Sequence, residues 1–381
     1  MKRQSFWGSL FPKRIDVRFI DYKLLTAIII LTIVGLSFLY SASSAISYAK
    51  SLKNNLPPTT AMFFKKQLLW SLIAITIMLF VVFIDLEKIR KHIPVIAILT
   101  IASLIIVLFM PKIQNTRRWI NLVFFNFQPS EFAKVMFVLY ISDYIDRNYS
   151  KIRRFKYLLK PFLVISIILV LIALEPDLGT PALIFISMLI IFFIYGAKTI
   201  HIITPLIIGS ILIVLEINRH SYRAKRVTAF LSSFSELKET GFQLAQSLVA
   251  IGSGWWFGKG PGNSIMKLNY LPESHTDFIF PIIAEEIGFI GTTLIIFVFV
   301  YIFLRAVNIA KNSKSSFLSI LTISSIIIII IQAFFNMAMT VGMIPTKGLP
   351  LPFFSYGGSS IIVTMILMGF ILNASLRRKR I

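Results

Sequence analysis

Asp277 is the residue whose type and position are best suited to acid–base chemistry. It stands in the run His275-Thr276-Asp277-Phe278, directly before a long apolar stretch. A carboxylate at a boundary between an apolar phase and water suits a general base, because desolvation raises its pKa toward the working pH. Nearby cations act in the opposite direction and lower the pKa. The alternative is structural, since Thr276 or Asp277 could cap the helix that the apolar stretch predicts.

Charged and hydroxyl side chains recur at the ends of other apolar stretches, where they could bind an anionic substrate. The candidates are Arg117, Arg118, Glu131, Lys134, Asp177, Arg223, Arg226, Lys347, Ser355 and Ser359. A structural explanation stays open for three of them. Glu131 and Lys134 are spaced i, i+3 and could neutralise each other. Asp177 precedes Gly-Thr-Pro, which is a good turn and N-cap sequence.

The sequence indicates no metal, nucleotide or thiol chemistry. It contains no Cys, and its four His residues are scattered without an i, i+4 pair. The run 254–260 has the glycines and lysine of a phosphate-binding P-loop at the wrong spacing, and Gly260 replaces the Ser or Thr that should follow the lysine. We interpret this run as an interfacial loop with Trp255 and Trp256 as anchors. The sequence therefore requires no cofactor and no metal site.

The candidate residues must be positioned by helices that lie in lipid. Hydrophobic residues make up 56% of the 381, charged residues only 14%, and the mean hydropathy is +0.81. A soluble domain carries about a quarter charged residues. Apolar stretches of ~20 residues, the length of a membrane span, follow one another closely. The sequence predicts an all-α polytopic membrane protein with about ten transmembrane helices, of which the fourth, 130–145, is weakened by its charged residues.

The expected organisation is one membrane domain, 24–373, between a basic segment, 1–23, and a basic tail, 374–381. The net charge of +23 does not indicate nucleic-acid binding, because Lys and Arg form short runs between apolar stretches, as juxtamembrane charge does. Placing both termini in the cytoplasm puts most Lys and Arg on the cytoplasmic side. Asp277 and the other candidates then lie at the extracytoplasmic face of the membrane.

Two connections at this face are long enough to shape a site. The loop 218–277, between predicted spans seven and eight, contains Phe242, Ala245, Leu248, Val249 and Gly252 at helical spacing, which predicts a short helix at the membrane surface. The stretch 345–360 is too rich in Pro and Gly for regular helix. Its freed amides and hydroxyls could receive phosphate oxygens, as helix N-termini do.

Several of these stretches together resemble the signature segments of the SEDS family, to which FtsW, RodA and SpoVE belong. The matching segments are RRWI (117–120), QPSEFAK (128–134), EPDLGT (175–180), LPESHTDFIF (271–280), AEEIGF (284–289) and PTKGLPLPFFSYGGSS (345–360). They occur in the family's order and cover roughly 24–373. Within the family, segments 222–227, 262–272 and 345–348 look closest to the cell-division branch. Trp255, Trp256 and Ser274 depart from the residues usual at their positions.

The resemblance implies a peptidoglycan glycosyltransferase that polymerises lipid II during septal cell-wall synthesis. Asp277 matches the family's proposed catalytic Asp, which would take the proton of the attacking hydroxyl. Arg118, Lys134, Arg223 and Arg226 are then the groups expected to stabilise charge on the leaving diphosphate, and a divalent cation could share that charge. The implied partners are a class B penicillin-binding protein, which is a transpeptidase, and other division or elongation proteins, with no nucleic acid.

Three alternatives remain open at this point. The first is an elongation-type polymerase of the same chemistry. The second is a flippase that carries lipid II across the membrane, which intramembrane Glu131, Lys134, Glu285 and Glu286 would also suit. The third is a non-catalytic scaffold, for which a loop so rich in charge and Gly is unnecessary. A transporter should show polar groups at the midplane and at both faces, whereas here they gather at one face, so the enzyme is favoured.

Overall fold

Helices account for about 75% of the residues that the structure describes, with 2% in strands. The computed structural model describes residues 19–55, 57–112, 116–122, 125–175, 177–219, 240–268, 270–346 and 348–377, without the side chains of 125, 212–219 and 240. The helices are α1 (Tyr22–Lys53), α2 (Met62–Phe83), α3 (Leu86–Ile89), α4 (Ile93–Leu108), α5 (Pro129–Asn148), α6 (Phe155–Leu174), α7 (Gly179–Ile194), α8 (Thr199–Arg219), α9 (Thr240–Ser253), α10 (Ile279–Lys311), α11 (Ser316–Thr340) and α12 (Gly358–Leu376).

Seven helical segments in the described part of the chain are long and apolar enough to cross a membrane. They are α1, α2, the continuous α3–α4 segment Leu86–Leu108, α6, α10, α11 and α12. Helix α7 and the described part of α8 are shorter apolar helices, and α5 carries buried charged residues. The predicted helical membrane architecture is confirmed. Ten crossings stay a prediction, to which α5, α7 and α8 would contribute the remaining three.

Helices α11 and α12 form the centre of the bundle. Nearly every side chain of α12 is buried, and this helix packs on α2, α5, α10 and α11. Because lipid is as apolar as the helix surfaces, such a centre depends on close packing and on polar bonds between helices. Asn373 supplies one of these bonds, since its amide nitrogen lies 2.7–3.1 Å from carbonyl oxygens at the end of α2.

One end of the bundle, which we call the ion-pair end, is held together by charged side chains. Arg90 lies 2.7 Å from carboxylate oxygens of both Asp143 and Asp146 on α5. Arg377, just after α12, contacts Asp85 at 2.9 Å. Asp143 is one of the charges that weaken the predicted fourth span, and its pairing explains how α5 accommodates it. The candidate site lies at the opposite end, which we call the site end.

Helix α10 is interrupted near its middle by Gly288, whose φ of 66° and ψ of −167° are not helical. The backbone groups freed there bond to the loop after α9, through Lys259 N to Glu285 O (2.9 Å), Gly260 N to Glu286 O (3.0 Å), Phe289 N to Trp255 O (2.8 Å) and Ile290 N to Trp256 O (3.1 Å). Broken backbone at membrane depth is tolerated where protein covers it. The loop predicted as interfacial thus has exposed Trp side chains but a backbone bonded to α10.

The short helix predicted in the large loop is present as α9. Leu244, Ser247 and Ala250 face the protein, where α9 packs on α10. Val249, which belongs to the predicted apolar stripe, is 51% exposed. Phe242, Ala245 and Leu248 of the same stripe are half-buried, so the stripe lies along the boundary between the buried and the exposed faces of α9.

Two local features were not predicted from the sequence. Strands β1 (Ile120–Leu122) and β2 (Phe125–Phe127) form an antiparallel hairpin before α5, so the fold is not purely α-helical. The last of the ten apolar stretches taken as spans is 351–373, but helix α12 begins at Gly358, because the Pro-rich and Gly-rich residues before it stay irregular. Both features line the site end.

Gly35 on α1 allows this irregular segment to pack closely. A Cβ at position 35 would lie 2.2 Å from the carbonyl oxygen of Phe353. We expect Gly35→Ala to destabilise the protein by about 1–3 kcal/mol, as overpacking does, with a lower thermal unfolding temperature in detergent. Gly252→Ala on α9, where a Cβ meets nothing within 4 Å, is the matched control and should not lower it. Equal unfolding temperatures for the two variants would contradict this packing.

Candidate active site

Asp277 is held just before α10, in a position that does not match a helix cap. The helix begins at Ile279 after the N-cap residue Phe278. The Thr276 hydroxyl does not cap it either, because that hydroxyl donates to the Glu273 carboxylate at 2.8 Å. Asp277 is partly exposed.

The Arg118 guanidinium and the Asp277 carboxylate lie beside the same glycine, Gly348. A Cβ built on Gly348 would lie 3.0 Å from Asp277 Oδ2 and 4.0 Å from a terminal nitrogen of Arg118. Residues 118, 277 and 348 come from three separate connections, after α4, before α10 and after α11. The fold therefore brings together a candidate base and a cation that are 159 residues apart in the sequence. Such a pair can accept a proton and stabilise developing negative charge at one place.

Backbone bonds fix the segment that carries Asp277. The Asn336 amide on α11 donates to the carbonyl oxygens of Asp277 (2.9 Å) and Leu349 (2.7 Å). Asn336 is fully buried, and the sequence-based reasoning did not single it out. The signal available was a polar side chain inside an otherwise apolar helix, which usually has a specific partner.

Ser355 and Ser359 are both used as bridges between segments. Ser355 Oγ accepts from Leu351 N (2.8 Å) and donates to Thr276 O (2.6 Å), which joins the irregular segment to the Asp277 segment. Ser359 Oγ accepts from Gln128 N (3.2 Å) and donates to Asn126 O (3.3 Å) in the hairpin. Their predicted contact with substrate stays a prediction; the bonds they make here hold the walls of the site together.

Glu131 and Lys134 form a buried ion pair on α5. Lys134 Nζ lies 2.7 Å from Glu131 Oε2, and both side chains are at most 3% exposed. Lys134 also donates to Gln332 Oε1 (2.7 Å), and Gln332 donates through its own amide to Pro350 O (2.8 Å). The two residues neutralise each other, as their spacing allowed, and their network supports the irregular segment. A direct role in substrate binding stays a prediction.

Arg117 and Arg118 are directed to different partners. Arg117 donates to the carbonyl oxygen of Leu108 (3.0 Å) at the end of α4. Arg118 Nε donates to the carbonyl oxygen of Glu175 (3.1 Å), which links it to the turn between α6 and α7. Of the two arginines, Arg118 is therefore the one that we place beside Asp277.

Asp177 caps α7 through both of its carboxylate oxygens. Oδ1 accepts from Gly179 N (2.9 Å) and Thr180 N (3.3 Å), and Oδ2 accepts from the Thr180 hydroxyl (2.9 Å). Leu178 occupies the N-cap position, but the Asp177 carboxylate makes the bonds of a capping side chain from one residue earlier, which is the structural explanation that the sequence left open. A substrate contact by Asp177 remains a prediction.

Glu175, in the turn just after α6, is a buried carboxyl group of another kind. It is fully buried, with Ser130 as a hydrogen-bonding neighbour that, like Arg118, lowers its pKa. Burial raises the pKa of Glu175 from 4.5 to about 9, the Asp177 carboxylate adds to the rise, and Arg118 opposes it. At neutral pH this group is therefore protonated and adds no charge beside Arg118.

The raised pKa predicts a dependence of stability on pH. Between pH 4.5 and about 9, folded Glu175 holds a proton that the unfolded chain has lost, so stability is full below pH 4.5 and falls as pH rises toward 9. We expect Glu175→Gln to unfold a few degrees higher than the parent protein at pH 8 and at nearly the same temperature at pH 5. A difference between the two proteins that does not change with pH would contradict this assignment.

Three candidate residues, Arg223, Arg226 and Lys347, lie outside the described residues. Their predicted contacts with substrate stay predictions. In the described part of the chain, no group of three or more His, Asp or Glu residues is arranged to hold a metal ion. A divalent cation at the diphosphate is therefore untested and enters none of the chemistry below.

Long apolar helices around a polar, partly broken end define an integral membrane protein. The chain belongs to the FtsW/RodA/SpoVE family, because the family model, described as "Cell cycle protein", matches residues 22–380. This confirms the membership that the motifs predicted.

Curated relatives and solved structures agree with that membership. The probable peptidoglycan glycosyltransferase FtsW of Buchnera aphidicola is 36% identical over 360 residues, 93% of each chain. The protein of the same name from Haemophilus influenzae is 36% identical over 377 residues, 98% of this chain and 93% of its own. A chain from a peptidoglycan synthase complex superposes with a TM-score of 0.76 at 22% identity, over 93% of this chain and 97% of its own. Thermus thermophilus RodA superposes with a TM-score of 0.68 at 22% identity, over 95% of this chain and 98% of its own.

Proposed function

We propose that this protein is a peptidoglycan glycosyltransferase that polymerises lipid II into glycan strands during septal cell-wall synthesis. The observation that carries the proposal is that the Asp277 carboxylate and the Arg118 guanidinium both lie beside Gly348. Relatives at about 36% identity over most of the chain are named probable peptidoglycan glycosyltransferases FtsW, which supports both the reaction and the division role.

The proposed reaction needs one base and one anion-stabilising group. Asp277 takes the proton from the 4-hydroxyl of the acceptor disaccharide, whose oxygen attacks the anomeric carbon of the donor strand. The bond from that carbon to the diphosphate breaks, and undecaprenyl diphosphate leaves with the electron pair. Arg118 stabilises the charge on the diphosphate. A diphosphate leaves without much help from an acid, so a second carboxylate is not required.

Lys134 contributes less to this chemistry than the sequence suggested. Its charge is balanced by Glu131 and its ammonium is buried. Arg118 therefore carries the electrostatic part of the proposal among the described residues, with Arg223 and Arg226 as expected additions.

The topology and the partner belong to the same proposal. Both termini would lie in the cytoplasm, ten helices would cross the membrane, and the site end would face outward, where lipid-linked disaccharide is polymerised. The partner would be a class B penicillin-binding protein that crosslinks the new strand. A similar chain comes from a peptidoglycan synthase complex, which supports assembly with other synthesis proteins.

Buried carboxylates at membrane depth do not favour the flippase alternative. Glu285 accepts from Lys259 (2.7 Å) and from Ser264 (2.5 Å). Glu286 accepts from Ser41 and pairs with Lys267 at 3.3 Å. Carboxylates with such fixed partners stabilise one arrangement, whereas a transport site has to exchange its contacts between two.

Polymerisation of labelled lipid II by the purified protein tests the proposal. The reaction should contain a class B penicillin-binding partner whose transpeptidase is blocked by a β-lactam, so that uncrosslinked glycan accumulates. Proteoliposomes with labelled lipid II measure transport in parallel. Glycan strands without transport support the proposal, and transport without glycan strands replaces it with the flippase function.

A further inference from the structure

A cavity of about 850 Å³ opens beside the segment that carries Asp277, between α1, α2 and the β1–β2 hairpin. Thr276, the residue before Asp277, lines it, whereas the Asp277 carboxylate lies by Gly348 and Arg118. Lys50 of α1 and Lys66 of α2 contribute their side chains to the wall. We call this space the lysine cavity. The backbone of the segment that carries Thr276 and Asp277 separates this cavity from the proposed active site.

Aromatic side chains hold Lys50 in place. Its ammonium lies 5.4 Å from the centre of the Phe63 ring, within range of a cation–π interaction. Phe63 packs on His275 at 4.7 Å and on Tyr356 at 5.1 Å between ring centres. Burial lowers the pKa of His275, Glu273 opposes this, and Lys50 lowers it further, so the imidazole is neutral near pH 7. The positive charge of this wall therefore belongs to the lysines.

The lysine cavity carries more positive than negative charge. Neither Lys50 nor Lys66 forms an ion pair with a carboxylate in the part of the chain that the structure describes. Glu273 is the acidic residue among those that line the cavity, and one of its oxygens accepts from the Thr276 hydroxyl. Both lysines are exposed, so solvent partly screens them, but two ammonium groups against one carboxylate still attract an anion to this wall.

Glycosyl transfer between two lipid-linked substrates places two diphosphates near one base. The diphosphate of the donor leaves from the reacting carbon, so it must lie beside the base and Arg118. The diphosphate of the acceptor is separated from the attacking 4-hydroxyl by a disaccharide. A second anion site is therefore required, displaced from Asp277 but continuous with it, and the lysine cavity has this position.

We propose that Lys50 and Lys66 bind the diphosphate of the acceptor lipid II in the lysine cavity. This inference rests on the proposed polymerase function and names one of its substrate sites. The amides of Asn121 and Asn126, which line the same cavity, can hydrogen-bond to the amide-bearing disaccharide. The indole of Trp70 offers an apolar face to the sugar or to the lipid chain.

Charge-removing variants with a matched control test this site. Lys50→Gln/Lys66→Gln removes both cavity cations, and Lys53→Gln/Lys65→Gln removes two exposed lysines from the same helices, outside the cavity lining. We expect the KM for lipid II to rise roughly fivefold for each cavity lysine and about 20-fold for the pair, with kcat changed less than twofold. The control should keep the parent KM. An equal KM for the two double variants overturns the proposal.

A binding measurement separates this inference from the proposed function. Fluorescent lipid II is titrated against protein carrying Asp277→Asn, with and without the cavity substitutions, and competed with unlabelled lipid II or phosphatidylglycerol. Loss of affinity only in the cavity variant supports the site even if the parent protein makes no glycan, in which case the polymerase proposal alone fails. Equal competition by phosphatidylglycerol overturns the proposal, because the cavity would then bind any anionic headgroup.

Discussion

Asp277→Asn is expected to reduce the rate of glycan polymerisation by about 10²- to 10⁴-fold, the usual contribution of a general base. Asn has the shape of Asp but cannot accept the hydroxyl proton. The Asn336 bond to the backbone carbonyl of residue 277 does not involve the side chain, so the fold should survive the change. The measurement is the initial rate of strand formation from labelled lipid II at saturating substrate.

Two controls distinguish loss of chemistry from loss of structure. The variant should unfold at the temperature of the parent protein and should still bind the penicillin-binding partner. Asp277→Glu, which keeps the carboxylate but moves it by one methylene, should retain more activity than Asp277→Asn. A folded Asn variant that polymerises lipid II at the parent rate would show that Asp277 is not the base.

Lys134→Met is expected to lower the free energy of unfolding by about 3–5 kcal/mol, more than any other substitution proposed for this protein. The change leaves Glu131 buried without its cation, and an uncompensated buried charge is costly. It also removes the donor to Gln332, which holds Pro350 in the irregular segment. Thermal unfolding in detergent measures the loss. Arg147→Gln breaks an ion pair of similar length, 2.9 Å, on a 60% exposed side chain of the same helix and should cost less than about 1 kcal/mol.

The double variant Glu131→Gln/Lys134→Met separates a structural role from a substrate-binding one. Removing both charges should recover most of the stability, because neutral replacement of a buried ion pair is often tolerated. Recovery of polymerisation together with stability assigns the pair to structure alone. Recovery of stability without polymerisation would show that one of the two residues acts on the substrate.

The helices were largely predictable because hydropathy and helix boundaries follow local sequence. The weak fourth span, 130–145, corresponds to α5 (Pro129–Asn148), and the irregular character of 345–357 follows from its Pro and Gly content. The apolar stretch taken as the last span, 351–373, starts seven residues before α12. Hydropathy continues across Pro350, Pro352 and the aromatic residues after them, so an apolar window extends beyond the helix into residues whose Pro and Gly content keeps them irregular.

The bonds that shape the site could not be predicted, because they join residues far apart in the chain. Asn336 bonds a carbonyl 59 residues away, and Gln67 bonds the carbonyl of Ser355, 288 residues away. From the sequence alone, each is a polar side chain in an apolar helix, with no indication of its partner. Asp177 shows the reverse case, since its cap of α7 depends on the next three residues and was readable locally.

The contact between Gly35 and Phe353 has a consequence for the order in which the protein matures. Residue 353 is made 318 residues after residue 35, so α1 is in the membrane before its packing partner exists. The segment that carries Asp277 takes its bonds from residues 336, 355 and 356, which also come late. A ribosome-bound intermediate therefore has a base without its supporting wall. Polymerisation would begin only after α12 is inserted, so products truncated before residue 353 would lack a complete active site.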